Sequence, residues 1–557
     1  MMDRNAESHF GHIETTDIKR SMFQMPFRNL STCNAGKIIP FLAYADVLPG
    51  DTVKCTTSAV IRMQTPLNPT MDDLFADIYY FAIPKRILWK HWAEFMGENK
   101  DSAWVSSTVY QEPMFTAPAS TGVTMGTVAD YMGIPKGVTN IKYSELPFRG
   151  YVLTYNTWFR RQNLIAPATE YDDDTDRNGS NTTTELGGVP FSASKIADYF
   201  TTCAVEAEKP LPGMATPTIP LGTSAPVIGN GKSLGLNDGT NNFGILTTTA
   251  GGAAGVTVGS TNAFNVNKGT SISSGFSSTN KALGVTTDGT KSGLVADLTD
   301  ATAATINALR LYFQIQKMFE ARSRGGTRLF EILKQEFGTS PSMAVLQLPE
   351  YLGGKRQPLN LTQVTQTSST VNNSQALGDT GGMSHTAFTN DDFTKSFQEH
   401  SIILGLLVIR QYHTYQQGLH RMWTRRNKLD YYTPVLAHLG EQPVYKKEIY
   451  ATGVSANDDA VWGYQERWGE YKYGQQIITG EMNSTYATSL DVWHYGDYYA
   501  SAPTLAQNWI EETPAYVDRT IAVTSSTAHQ FKFDIVSNMV FTRPMPVYNT
   551  PGLIDHF

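Results

Sequence analysis

The chain has 557 residues, enough for a large core, and a formal net charge of −7. Charged residues make up only 17%, against roughly 25% in ordinary soluble domains, while aromatics reach 11% and there are 46 glycines and 27 prolines. This argues against a disordered or strongly basic chain and for a β-rich, loop-rich protein with much surface buried, part of it between subunits.

The first thirty residues balance Arg4, Lys19, Arg20 and Arg28 against Asp3, Glu7, Glu14 and Asp17, so no basic arm neutralises phosphate wholesale. Cys33, Cys55 and Cys203 are odd in number and far apart, which indicates neither a disulfide framework nor a zinc knuckle. No apolar signal core is expected at the N-terminus. The longest apolar run, 402–409, falls far short of a membrane span, so no membrane insertion is expected.

In chain order, 54–65 and 77–83 read as strands, each followed by a proline. The second is apolar on both faces, as in a sheet covered on both sides. Segment 89–95 resembles a short helix ending at Gly97, and 147–164 a longer one. From Tyr171 the chain turns acidic. Asp174, Asp176, Asn178, Gly179 and Glu185 match the spacing of a calcium loop. No flanking helices accompany them, so a solvated acidic turn within a variable loop, 171–190, is the preferred reading, with a cation site as the alternative.

Residues 221–300 hold 15 glycines, and Phe243, Phe264 and Phe276 are their only aromatics. Such a stretch buries little apolar surface by itself. It is a linker or an excursion ordered by packing on copies of itself. Helices follow at 301–322, capped by Thr299 or Asp300, and at 327–337, stopped by Gly338. Both are expected as core helices. Segment 401–415 reads as a long strand, and 431–439, 461–473 and 490–499 as short aromatic-rich elements. Near the end, Phe531, Phe533, Ile535, Ser537, Met539 and Phe541 alternate with a more polar set, the period of a half-buried strand. Pro544, Pro546 and Pro551 then prevent a continuing ladder and leave an extended arm. Several strands without a βαβ rhythm indicate an antiparallel barrel or sandwich.

No catalytic motif is present, and the scattered histidines and adjacent carboxylates, including Glu511 and Glu512, read as satisfied or solvated groups. Three basic clusters are candidate DNA contacts. They are Arg322, Arg324 and Arg328; Lys355 and Arg356; and Arg421, Arg425, Arg426 and Lys428 interleaved with Trp423. Charge for phosphate beside flat faces for bases is what a single strand needs. Pairing with acids, or capping of helix ends, is the competing role for each cluster. A different class of function, a carbohydrate-active β-sandwich enzyme or lectin, would use Trp423, Trp462, Trp468 and Trp493 as sugar platforms and would need two facing carboxylates.

Collinear stretches along almost the whole chain carry a family resemblance. They include IIPFLAYADVLPGDT at 38–52, RMQTPLNPTMDDL at 62–74, KHWAEFMGEN at 90–99 and ARSRGGTR at 321–328. YQQGLHRMW at 415–423, LAHLGEQPVYKKEIY at 436–450 and the tail RPMPVYNTPGLIDHF at 543–557 continue the series. The chain resembles the major capsid proteins of the gokushovirus branch of the microviruses, small bacteriophages with single-stranded DNA. The resemblance thins at about 171–189 and 228–295.

What it implies is an all-β fold with helical insertions: an eight-stranded antiparallel viral jelly roll with long inter-strand excursions. It implies a T=1 icosahedral shell around a circular single-stranded DNA genome, without enzymatic activity or cofactor. The position of 228–295 matches an insertion that projects at the threefold axes and faces the host. The implied partners are copies of itself, an internal scaffolding protein, a DNA pilot protein, a small basic DNA-binding protein, the genome and a host surface receptor. The implied location is the virion, assembled in the bacterial cytoplasm. Leu553, Ile554 and Phe557 of the arm 543–557 are candidate subunit contacts.

Overall fold

The computed structural model describes residues 19–100, 108–214, 306–368 and 377–548, together with five short strands between 227 and 296. Eight long strands organise it: β1 (Ser21–Cys33), β2 (Ile39–Val47), β3 (Thr52–Met63), β4 (Leu74–Pro84), β5 (Glu350–Pro358), β6 (Thr386–Ser396), β7 (Ser401–Gln411) and β8 (Phe531–Arg543). They form two antiparallel sheets, in the orders β1-β8-β3-β6 and β5-β4-β7-β2.

The alternation at the end of the chain does what its period predicts. Phe531, Phe533, Ile535, Ser537, Met539 and Phe541 are all buried, and Lys532 between them is exposed. Full burial of each aromatic ring contributes about 1.5–3 kcal/mol. The inner faces of the two sheets share one core, in which Ile61 of β3 and Phe533 of β8 meet Ile78 of β4 and Leu407 of β7. Ser537 is the polar exception. Its hydroxyl meets that of Tyr80 at 2.6 Å, and Tyr80 also meets Thr57 at 2.7 Å, so a satisfied polar bridge links the sheets.

The outer faces of β4 and β7 pack on a second core with α1 (Leu146–Thr154), through Phe81, Ile83, Leu404, Phe148 and Tyr151. Covering on both sides explains why β4 and β7 read as continuous apolar runs.

Several expectations are corrected. The helix expected over 147–164 stops at Thr154 and continues as a π-helical turn, Tyr155–Phe159. The hydroxyls of Thr154 and Thr157 donate to the carbonyls of Gly150 and Leu153, both at 2.7 Å, and this back-bonding competes with the helical ladder. The two later helices, α2 (Ile306–Gly325) and α3 (Leu329–Phe337), exist, but neither is the expected core helix: α2 buries Phe319 while its Ile306, Leu311 and Phe313 are exposed, and α3 is more exposed still. It buries no residue, and its Leu329 and Phe337 are 59% and 69% exposed. The strand expected over 401–415 ends at Gln411, where the chain turns to bring His413 into a buried ionic cluster. Of 461–473 only Val461–Gln465 is a strand, while 431–439 and 490–499 contain short 3-10 turns.

Residues Pro210–Phe319 make up a compact unit of their own. Within it Val227–Gly229 pairs antiparallel with Leu294–Ala296, at the two ends of the Gly/Ser/Thr-rich stretch. Most of 228–295 lies outside the described residues, as do Leu553, Ile554 and Phe557.

Candidate nucleic-acid interface

Folding scatters the candidate DNA contacts instead of gathering them into one patch. Arg322 pairs with Glu336 at 2.7 Å, and Arg324 with Glu441 and, at 3.5 Å, Glu466. Arg328 opens α3. Its guanidinium pairs with Glu331 at 3.0 Å and donates to the carbonyls of Asn156 and Arg160 at 2.9 and 2.7 Å. On β5, Arg356 pairs with Asp77 of β4 at 2.7 Å, and Arg410 of β7 reaches the other oxygen of the same carboxylate. Burial pushes the Asp77 carboxyl up, but the two arginines outweigh it and hold it below its ordinary value. The neighbouring Lys355 is exposed.

The third cluster lies around a hollow of about 360 Å³. Arg421 donates to the carbonyl of Pro443 at 2.8 Å and pairs with Glu448 at 3.2 Å. Arg425 pairs with Glu470 at 3.4 Å and lies over the ring of Tyr471. Both acids are buried, so these pairs hold the local fold. Arg426, Lys428 and Trp423 point outward, and Trp423 is 71% exposed. Arg421, Arg425 and Arg426 thus line one hollow, while Arg328 and Arg356, from different linear clusters, meet in another of about 570 Å³ beside β4.

The acidic loop is less solvated than its composition indicates. Asp174 accepts from Trp89 Nε1 at 2.6 Å and from His91 at 2.8 Å. Asp176 accepts from the backbone of Met114 at 3.0 Å. Arg177 pairs with Asp173 and with Glu145, a fully buried acid that also pairs with Arg149 at 2.9 Å. The carboxylates of the calcium-like spacing therefore face separate partners. Among the described residues no group of three or more His, Cys, Asp or Glu side chains could hold a metal ion.

A buried ionic cluster was not legible in the sequence. Lys195 pairs with Asp497 at 2.9 Å, and His413 meets Asp497 at 2.7 Å through Nδ1 and Glu512 at 2.9 Å through Nε2. Both ring nitrogens face carboxylates, so both carry protons. Burial alone lowers the His413 pKa, but Asp497 and Glu512 outweigh it and raise it to about 9. The cluster ties together four segments distant in sequence. The Tyr499 hydroxyl also donates to Asp497, at 2.6 Å, and the side chains of Lys195, His413, Asp497 and Glu512 are almost fully enclosed, so the role of the cluster is cohesion.

A model of the capsid protein (F protein) family matches residues 11–553. The chain belongs to this capsid protein family. It is 36% identical to capsid protein VP1 of Spiroplasma virus 4, over 99% of both chains. It is also 36% identical to capsid protein VP1 of Bdellovibrio phage phiMH2K, over 100% of this chain and 99% of the relative. The corresponding protein of Chlamydia phage 1 is 32% identical over 98% of each.

The resemblance read from the sequence motifs is thus borne out. A capsid protein assembles with copies of itself and resides in the virion. The family match displaces the sugar-platform alternative, and the geometry removes two of its four tryptophans, though Trp423 stays exposed. Trp462 and Trp468 are buried, the first edge-on to Trp509 and the second to Tyr432, so neither presents a face to a ligand. No helix among the described residues is long and apolar enough to cross a membrane.

Proposed function

We propose that this capsid protein is the major shell subunit of a gokushovirus-like phage, and that its two sheets are the halves of a jelly roll. The strand orders carry this reading. With the eight strands numbered along the chain, the sheets run 1-8-3-6 and 5-4-7-2, the double Greek-key connectivity of that barrel. Copies close a T=1 icosahedral shell around a circular single-stranded DNA genome. Scaffolding, pilot and small basic DNA-binding proteins assist, and assembly takes place in the host cytoplasm. The excursion 228–295 projects at the threefold axes to meet a host receptor; its paired ends, Val227–Gly229 and Leu294–Ala296, suit a projecting insertion.

The arm 543–557 anchors on the shell through Leu553, Ile554 and Phe557. Its start supports this. Arg543 is pinned to the buried Asp51 at 2.9 Å, and the following Val547 and Tyr548 are 59% and 85% exposed. Such an apolar run gains by lying on a neighbour.

Co-expression with the scaffolding protein, followed by electron microscopy, tests the reading. Closed shells are expected, and persistent monomers would overturn it. A truncation after Pro546 keeps the Arg543–Asp51 pair and should abolish shells without lowering subunit stability. Removal of 228–295 should leave the two sheets folded and impair attachment to host cells.

A further inference from the structure

The hollow of about 570 Å³ has a composition that its structural role does not require. It draws its wall from β4, β5, β7, the π-helical turn, the start of α3 and the segment 194–197. Six cations line it: Arg160, Arg161, Lys195, Arg328, Arg356 and Arg410, and no carboxylate does. Acids lie behind some of them. Arg328 has Glu331, Lys195 has Asp497, and Arg356 and Arg410 share the single carboxylate of Asp77. Among the described residues, Arg160 and Arg161 have no carboxylate within ion-pair distance.

These two arginines are held against their electrostatic preference. Burial lowers the pKa of both and the charge of Arg328 lowers it further, which the more distant carboxylates of Asp198 for Arg161 and of Glu170 and Glu331 for Arg160 offset only in part. In addition, the buried Nε atoms of Arg160, Arg328 and Arg410 lack hydrogen-bond partners. A cluster of like charges with unspent donors is costly unless an anion joins it.

The other half of the wall is aromatic. Tyr79, Phe81, Phe159, Trp158 and Tyr351 pack on one another, with the Trp158 and Tyr351 ring centres 6.2 Å apart. Those two rings remain 38% and 43% exposed. Trp158 is also fixed in orientation, because its Nε1 donates to the carbonyl of Pro349 at 2.9 Å. A rigid, half-exposed ring beside a cation surplus fits a ligand with both a flat face and a negative charge. A carboxylate from a neighbouring protein would answer the charge and leave the rings unused. The volume suits a small ligand of one or two nucleotide units.

We infer that this hollow is a binding site for a nucleotide segment of single-stranded nucleic acid, with phosphate at Arg160 and Arg161 and a base stacked on Trp158 or Tyr351. The inference rests on the proposed enclosure of a single-stranded genome and adds where on the subunit the strand is held. Arg160, Arg161 and Arg410, together with the two rings, enter as contacts that the linear clusters did not include.

Photo-crosslinking of the full chain to an oligothymidylate carrying 5-iodouracil tests it, with crosslinked peptides located by mass spectrometry. The expected crosslink is on Trp158 or Tyr351. Arg160→Ala with Arg161→Ala should weaken oligonucleotide binding about tenfold and reduce the slope of log K against log salt by about 1.4, since each phosphate contact on a single strand contributes about 0.7. Arg161→Lys alone should retain most of the affinity, which separates lost charge from lost fold. Crosslinks confined to other surfaces, such as that of Arg426 and Lys428, would overturn this site while leaving genome enclosure intact. A crosslink from Trp158 to a second copy of the chain in assembled shells would show a protein contact instead and would equally overturn it. Absence of any oligonucleotide crosslink, with shells still forming, would count against both the site and direct genome contact.

Discussion

Two arginine-rich hollows lie on this subunit, and they differ in where their acids are. Around the smaller one, Glu448 and Glu470 sit buried in contact with Arg421 and Arg425, and Asp430, Asp459 and Glu470 are part of the lining itself. Around the larger one, among the described residues, the lining has six cations and no acid, and Arg160 and Arg161 are left without an ion-pair partner. Basic residues interleaved with aromatics describe both places equally well at the level of sequence. The difference teaches that an arginine cluster is a scaffold when all its counter-charges are folded in beside it, and a candidate binding surface when some of them are left out.

The largest expected effect comes from removing an acid of the smaller hollow. Glu448→Ala takes from Arg421 its nearer carboxylate, leaving Glu470 at 4.0 Å, and removes the acceptor for the Tyr445 N–H and the Tyr199 hydroxyl, so it should cost about 2–4 kcal/mol in urea unfolding, with little direct effect on oligonucleotide binding. A stable Glu448→Ala subunit would break the distinction between the hollows. The next largest is the pH dependence of the ionic cluster behind the larger hollow. His413 keeps its proton in the folded chain up to about pH 9, against an ordinary value of 6.5. Its contribution is therefore complete below about pH 6.5 and is lost as pH rises through about 9, on the order of 3 kcal/mol at most. Unfolding midpoints should fall over that window, and His413→Gln should flatten the fall.

A smaller effect of a different kind is expected at Arg161. Arg161→Ala should change subunit stability by no more than about 0.5 kcal/mol, because no ion pair is lost, and yet weaken oligonucleotide binding severalfold in fluorescence anisotropy. Parallel loss of stability and binding would make Arg161 a structural residue like Arg421. The smallest effects belong to the outward-pointing Arg426 and Lys428. Replacing both with alanine should leave stability within about 0.5 kcal/mol and lower affinity only through the salt-sensitive background.

The sequence by itself determined the inner strands and the family. β3, β4, β7 and β8 were legible because each is bonded on both sides and packs at least one face into a core, a requirement that writes itself into every second residue or into an unbroken apolar run. The four strands that were not foreseen, β1, β2, β5 and β6, are the four sheet edges. An edge is bonded on one side only, so it tolerates Pro26 in β1, the register shift between Tyr351 and Gly353 in β5 and the bulge between Asp391 and Phe393 in β6. At Gly354 a side chain would collide with the carbonyl oxygen of Ile78. These features read locally as turns.

Only the tertiary structure decided which arginines meet acids and which meet one another. Arg161, Arg328 and Arg410 reach one hollow from the loop after a π-helical turn, a helix start and a sheet strand, and His413 finds Asp497 and Glu512 across loops. Electrostatic partnership depends on distances of a few ångströms between remote segments, and no periodicity along the chain encodes it.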